Sequence, residues 1–431
     1  MSKINFPSNP SGGAEHKWRS RRRFNYDNTR GGWAASGGSL ASDAPALNSN
    51  TSIADFNDST GLANKLTGKA TLYNSYSDLP TEAYKGTFAY VADTNKLYMW
   101  TGDNPAPAEI PFGGDRGIVM GGRIVYQGTT VSSIDQFDIT NPVSNATAFG
   151  SLIAVTERMG GSAVSNQTRV VTFGGIPLSS SGTIGQNLEH NYSQYITVAT
   201  PGNATTFGNF QYRQNGQMFS DGTYGVYAGG ATKRAPEGGG NVVDTPYTNR
   251  YRITIDTLGN ANGYGSLSTA RYDGAGCSDG TYGLVAGGNS STSTRLQSIE
   301  YMTVATGSSG TNFGNMLNSC TEVSGCANHT YGMFFGGQGT GGGSTYTDGI
   351  EYVTVATPSN STDFGSLTQT IQYPAASGNV TRAVRMGGKP SSSSGSNVID
   401  YWEFDTPGDA TDFGNLTNTK QGLTGSSGNP A

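Results

Sequence analysis

Cysteine and histidine are close to absent from this chain, with three of each in 431 residues. Cys277, Cys320 and Cys326 are odd in number, so they make no complete disulfide framework. Cys277 and Cys326 hold equivalent places in neighbouring repeats, where a small buried hydrophobe is expected, and all three thiols are expected to be reduced. His16, His190 and His329 are too few for a histidine-rich metal centre. His329 falls in a turn where sister segments carry Asp221-Gly222 and Asp279-Gly280, which makes it a turn residue first. No metal and no cofactor is expected.

Charge is scarce too: charged residues make up 13% and the formal charge is −5, which argues against a general affinity for nucleic acid. No apolar run approaches the length of a membrane span, and the opening Met1-Ser2-Lys3-Ile4-Asn5 lacks the apolar core of a signal peptide. The expectation is synthesis in a cytoplasm without export or membrane insertion.

Glycine is abundant, at 64 residues, and it is organised. Short apolar runs end in Gly121-Gly122, Gly174-Gly175, Gly229-Gly230, Gly287-Gly288, Gly336-Gly337 and Gly387-Gly388, and the second glycines are 53, 55, 58, 49 and 51 residues apart. A period of that size is what stacked four-stranded units of a β-propeller require. After each pair comes a segment with period-two alternation, such as YSQYITVAT from Tyr192, IEYMTVAT from Ile299 or IDYWEFDT from Ile399. An aromatic-glycine step then opens a further strand: Phe149-Gly150, Phe207-Gly208, Tyr264-Gly265, Phe313-Gly314, Phe364-Gly365 and Phe413-Gly414. Hairpins with polar turns, such as SDGTYGVYAGG from Ser220, complete four strands per unit.

The two ends of the repeat region complement one another. Ser426-Ser427-Gly428-Asn429 matches the turn Ser377-Gly378-Asn379, yet the outgoing strand that should follow is missing. That strand stands at the other end, as Arg116-Gly117-Ile118-Val119-Met120 before Gly121-Gly122. Pairing the two would close a ring and leave no unpaired edge. The reading is an all-β chain with a six-bladed propeller over residues 115–431, against the alternatives of a Gly/Ser-rich low-complexity tail or an open β-solenoid. Before it come a β module at 1–36, a Ser/Asn/Gly-rich linker at 37–68 with at most one short helix around 53–65, and a small hairpin module at 69–114. A hairpin of that size buries little apolar surface alone, so it is expected to pack on a copy of itself or on another protein.

The order of apolar run, glycine pair, IEY-like strand and aromatic-Gly-x-Leu, with an arginine in some units (Arg213, Arg271), resembles the kelch repeat. It departs from kelch in carrying Phe or Tyr where those units keep Trp. IEYVTVAT from Ile350 and STDFGSLT from Ser361 resemble kelch-like repeats in structural proteins of tailed bacteriophages, especially those of marine bacteria, over about three quarters of the chain. INFPSNPSGG from Ile4 with FNYDNTRGGW from Phe24, and SYSDLPTEAYKGTFAYVADTNKLYMWTGDNP from Ser75, resemble modules of phage tail and fibre proteins. The resemblance implies a non-enzymatic virion protein, a tail fibre or tail appendage. Its N-terminal region would attach to other virion proteins, by analogy as a homotrimer, and its propeller would meet a host-surface glycan or protein. A purely structural neck, baseplate or capsid appendage is the alternative.

Candidate sites follow from this. The variable loops after each glycine pair suit recognition, and the longest supplies Lys233, Arg234, Glu237 and Tyr247. For virion attachment the candidates are Phe6, Arg21, Arg22, Arg23, Phe24 and Trp33, within a basic cluster read as docking to an acidic protein partner. Enzymatic readings are thin. The histidine supply barely permits the ligand set of kelch-type copper radical oxidases. Glu300, Glu351 and Asp400, which a glycan hydrolase would have to recruit, recur at one strand position and read as a structural repeat. Tyr224, Tyr282 and Tyr331 likewise recur in register and read as packing between blades more than a sugar-stacking ladder.

Overall fold

The computed structural model describes residues 114–428 apart from 125–129, 155, 157–158, 177–189, 235–242, 292–293, 308, 340–344 and 391–393, together with seven backbone strands before residue 110. The chain divides into two compact units, Met1–Ile110 and Pro111–Ala431. Every regular element among the described residues is a strand.

In the first unit, Glu15–Lys17, Arg23–Asp27 and Gly32–Ser36 form an antiparallel three-stranded sheet. The expected hairpin is present, with Phe88 opposite Met99 across Phe88–Val91 and Lys96–Met99. It does not stand alone: Ala70–Tyr73 joins one side in parallel and Ala108–Glu109 the other, giving four strands. The helix expected around 53–65, and the linker that would hold it, lie outside the described residues.

Among the described residues of the second unit there are six four-stranded antiparallel sheets. The first consists of Thr424–Gly428, Arg116–Met120, Ser133–Asp138 and Thr147–Ser151. The second is Val164–Ser165, Arg169–Phe173, Tyr192–Thr197 and Thr205–Asn209; the third is Gln217–Ser220, Tyr224–Ala228, Asn249–Thr254 and Asn262–Ser266. Ala275–Ser278, Tyr282–Ala286, Ser298–Thr303 and Thr311–Asn315 make the fourth, and Ser324–Ala327, Tyr331–Phe335, Gly349–Thr354 and Thr362–Ser366 the fifth. The sixth is Ala375–Gly378, Arg382–Met386, Ser396–Glu403 and Thr411–Lys420. The first sheet therefore takes strands from both ends of the unit, with Thr424 opposite Met120 and Gly428 opposite Arg116.

The second strand of each sheet is buried on both faces, as in Tyr224–Ala228, where Val226 and Tyr227 enter different clusters, and the cores lie between sheets. Val171 and Phe173 of the second sheet share a cluster with Tyr227 and Ile253 of the third. Leu284 and Ile299 of the fourth meet Phe334 and Val353 of the fifth. Val119 and Phe137 of the first sheet share one with Val384, Ile399 and Phe413 of the sixth, so the two ends of the unit are packed as well as paired. Burying a side chain such as Phe413 contributes roughly 1.5–3 kcal/mol.

The repeated motifs have local causes. At each of the six glycine pairs both residues take positive φ, from 56° to 102°, and the second N–H donates to a carbonyl of the segment leading to the next sheet, as Gly230 does to Arg271 at 2.9 Å. The aromatic-glycine step answers to a close approach. A Cβ on Gly208 would lie 2.0 Å from the carbonyl oxygen of Gly259, in the outer turn of the following sheet. That turn then donates back through Ala261 N–H to Asn209 O, and the equivalent bond recurs at all six junctions, including Ala146 N–H to Asn415 O at 2.8 Å between the first and sixth sheets. The asparagine of the same turn accepts a backbone N–H from the preceding sheet in Asn203, Asn260, Asn360 and Asn145, with Asp409 doing so in its place once. The polar hairpins close on side chains too: Asp221, Asp279, Asn328 and Asn379 each accept two backbone N–H groups two and three residues on. His329 sits in one such turn, as expected.

Candidate recognition surface and the residues that support it

The acids that recur along the third strands are tied to neighbouring segments. At one position of the third strand stand Asp135, Gln194, Glu300, Glu351 and Asp400, and each accepts a backbone N–H from the segment leaving the preceding sheet. The donors are Thr417, Ile153, Ser268, Leu317 and Thr368, at 2.7 to 3.4 Å. Three of these acids also hold a buried cation. Glu300 is 2.5 Å from Arg271 Nη2, Asp135 is 2.9 Å from Lys420 Nζ, and Asp400 pairs with Arg385. Burial pulls the pKa of Arg271, Arg385 and Lys420 down, and the paired carboxylates push it back up. Glu351 has Ser361 Oγ and Leu317 N–H as donors, and burial raises its pKa from its ordinary value. Carboxylates tied this way are joints between sheets.

The tyrosines Tyr282 and Tyr331 stand edge-on to Tyr301 and Tyr352 at 5.8 and 5.6 Å, beside cores shared by two sheets. In the third sheet Tyr224 faces the Arg252 guanidinium at 4.1 Å instead. The three thiols are free and buried; burial pushes Cys320 and Cys326 up to about 12 and Cys277 well above its ordinary value.

Among the described residues, the segments after three of the glycine pairs, Gly229-Gly230, Gly287-Gly288 and Gly336-Gly337, are paired strands. Ala231–Arg234 pairs with Val243–Pro246, Asn289–Ser291 with Thr294–Arg295, and Gln338–Gly339 with both Cys320–Thr321 and Thr345–Tyr346. These hairpins are joined: Arg295 Nη1 and Nη2 donate to Gly339 O at 2.5 Å and Gln338 Oε1 at 2.7 Å, and Lys389 Nζ lies 3.2 Å from Tyr346 Oη. Alternation is too short in these hairpins, two to four residues a strand, to be visible as a strand signal.

Of the candidate recognition residues, Lys233 and Arg234 end the strand Ala231–Arg234, in register with Asp244 and Val243. Glu237 lies outside the described residues. Tyr247 belongs to the base of the hairpin: its N–H donates to Gly230 O at 3.0 Å, its hydroxyl is 3.1 Å from Thr232 Oγ1, and the Arg213 guanidinium lies 3.4 Å from its ring centre. The three are thus held on one hairpin. Of the attachment candidates, Arg23 and Phe24 lie in the strand Arg23–Asp27 and Trp33 in Gly32–Ser36, opposite Tyr26; Phe6, Arg21 and Arg22 lie outside the described residues. No group of three His, Cys, Asp or Glu side chains placed to hold a metal ion occurs among the described residues. No helix there is long and apolar enough to cross a membrane.

No protein-family model and no curated protein matches the chain.

Proposed function

We propose that the second unit is a closed six-bladed kelch-like β-propeller and that the chain is a non-enzymatic virion protein of a tailed bacteriophage, a tail fibre or tail appendage. The N-terminal region attaches it to other virion proteins and the propeller meets the host surface, a glycan or a protein. The resemblance of IEYVTVAT, STDFGSLT and the N-terminal segments to phage structural proteins motivates this reading. Closure is supported by the pairing of Thr424–Gly428 with Arg116–Met120 and by junctions between first and sixth sheets of the same kind as the other five.

The observation that carries the non-enzymatic part is the fate of the recurring acids: Asp135, Glu300, Glu351 and Asp400 all bind backbone N–H groups of a neighbouring sheet. Such carboxylates cannot serve as a paired acid and nucleophile without undoing the junction. The hairpins after the glycine pairs are the face proposed for recognition, because they vary while their supports repeat.

Imaging of purified particles with this protein labelled tests the assignment. Label at the tail, with particles lacking the protein intact but unable to adsorb, is the expected result. Failed assembly without it would support the purely structural appendage. Release of sugar from host envelopes by the purified protein, or its absence from particles, would refute the reading.

A further inference from the structure

The third sheet breaks the repeat on its outer rim, and the break opens a groove. In four of the other five sheets the third-strand tyrosine packs edge-on against the fourth-strand phenylalanine, in Tyr195–Phe207, Tyr301–Phe313, Tyr352–Phe364 and Tyr401–Phe413, at 5.6 to 5.9 Å, and the first sheet has Gln136 in the tyrosine's place. In the third sheet Arg252 and Tyr264 take those places, with the guanidinium 3.9 Å from the ring centre of Tyr264 and 4.1 Å from that of Tyr224. Before the aromatic, the other repeats carry Ala148, Thr206, Asn312, Asp363 and Asp412; the third carries Gly263, and nothing lies within 4 Å of where its Cβ would be. Leu258 stands where Pro201, Pro358 and Pro407 do in sister turns, and is 52% exposed. The result is a cavity of about 300 Å³ bounded by Arg252, Thr257, Leu258, Asn262, Gly263 and Tyr264.

We propose that this groove binds a carboxylate-bearing sugar unit, such as a uronate within an acidic polysaccharide. Its volume reaches the lower end of small-ligand sites, ~300 Å³. Its lining holds one cation and no acid. A guanidinium fixed between two aromatic faces is pre-organised for the planar, two-point recognition that a carboxylate offers. One of its nitrogens, Nη1, donates to Ala305 O at 3.0 Å, and the guanidinium is also hydrogen-bonded to the Tyr264 side chain, so its position beside the groove is fixed. Asp221, whose titration feels the Arg252 charge, accepts Thr223 and Tyr224 N–H through Oδ1 and lies outside the lining. Thr257 supplies a hydroxyl and Asn262 an amide oxygen for sugar hydroxyls, the Asn262 Nδ2 being bonded to Asn260 O at 3.3 Å, and Leu258 supplies an exposed apolar surface for the C–H face of a ring. That mixture favours a sugar over a phosphopeptide, for which a single arginine is a poor match.

The site is distinct from the hairpin face proposed for host recognition, and binding here is measurable on the purified full chain whether or not that reading holds. The probes are an oligogalacturonate trisaccharide, a neutral trisaccharide of the same length and a phosphoserine peptide, followed by calorimetry and by NMR of the amides of residues 252–264. The acidic sugar should bind at least about tenfold more tightly than the neutral one and shift those amides. Gly263→Asp installs a residue that two sister repeats already carry, so the fold should accept it, while the added carboxylate fills and repels. It should weaken the acidic sugar about tenfold or more at unchanged melting temperature. Arg252→Gln should remove the preference for the acidic sugar, and Leu258→Ser should weaken both sugars. No binding of the acidic sugar at about 1 mM, equal binding of both sugars, tighter binding of the phosphopeptide, or a Gly263→Asp variant that binds as before would each overturn the proposal.

Discussion

Lys420 and Asp135 are 285 residues apart in sequence and 2.9 Å apart in the fold, with 0% and 1% of their side chains exposed. Their pair joins the segment leaving the sixth sheet to the sheet built from both ends of the unit. Lys420→Met would leave the Asp135 carboxylate buried with only the Thr417 hydroxyl at 2.8 Å and its N–H at 3.3 Å. Asp135→Gln would leave a buried ammonium facing an amide. Breaking a buried pair from one side costs about 3–5 kcal/mol, and with two donors still on Asp135 the lysine variant should fall near 3. The second sheet shows that the joint also works without charge. There Gln194 accepts Ile153 N–H at 2.9 Å, and Thr156 occupies the lysine position, its carbonyl taking Gly122 N–H as that of Lys420 takes Gly388 N–H. The double variant should therefore lie within about 1 kcal/mol of wild type, with a coupling energy of at least ~2 kcal/mol. Urea unfolding of the full chain, followed by aromatic fluorescence, measures all three. Raising the salt should leave the single-variant losses unchanged, since buried charges are weakly screened. Single variants within ~0.5 kcal/mol of wild type, or a double variant whose loss is the sum of the two, would refute the argument.

Three further outcomes are expected. Gly208→Ala should cost about 1–3 kcal/mol, because its Cβ would meet Gly259 O at 2.0 Å, whereas Gly259→Ala, with nothing within 4 Å, should be close to neutral in the same melts. Glu351→Gln keeps an acceptor for Leu317 N–H and removes an acid whose folded pKa is raised by burial. In the wild type the folded state holds that proton longer than the unfolded chain, so stability is lost as pH rises through the range above the ordinary carboxylate pKa. The variant should melt higher than wild type at pH 7 and equally at pH 4; a gain that persists at pH 4 would contradict the linkage. Finally, the native protein should show no thiol reactive to a disulfide reagent at pH 8, and three after denaturation, since burial holds every cysteine protonated.

Much of the all-β architecture was legible because its signals are local. Period-two alternation, paired glycines and Asp/Asn turns each report a backbone need within a few residues, and the six four-stranded sheets sit where those signals recur. The same short range explains what escaped. The strands after the glycine pairs are too brief to alternate, and Ala70–Tyr73 joins the first-unit hairpin in parallel, a pairing that no hairpin-turn signal in the sequence announces. For recognition, Lys233, Arg234 and Tyr247 could be chosen for chemistry alone, but that Tyr247 is spent on Thr232 and Arg213 could not.

By itself, then, the order of residues determined strand, turn and period, and even the pairing of Thr424–Gly428 with Arg116–Met120, because those depend on φ, on alternation and on counting. What only the tertiary structure decided is the meaning of the repeated side chains. Glu300 and Asp400 became joints because the segment leaving a neighbouring sheet presents an N–H to each, while Arg271 of that segment and Arg385 of the adjacent strand in the same sheet supply the buried cations. Gly208 became obligatory because a turn some fifty residues away, at Gly259, approaches to within 2.0 Å of its missing Cβ. Gly263 became an opening because nothing approaches it at all. A contact between sheets depends on distances that no single segment contains.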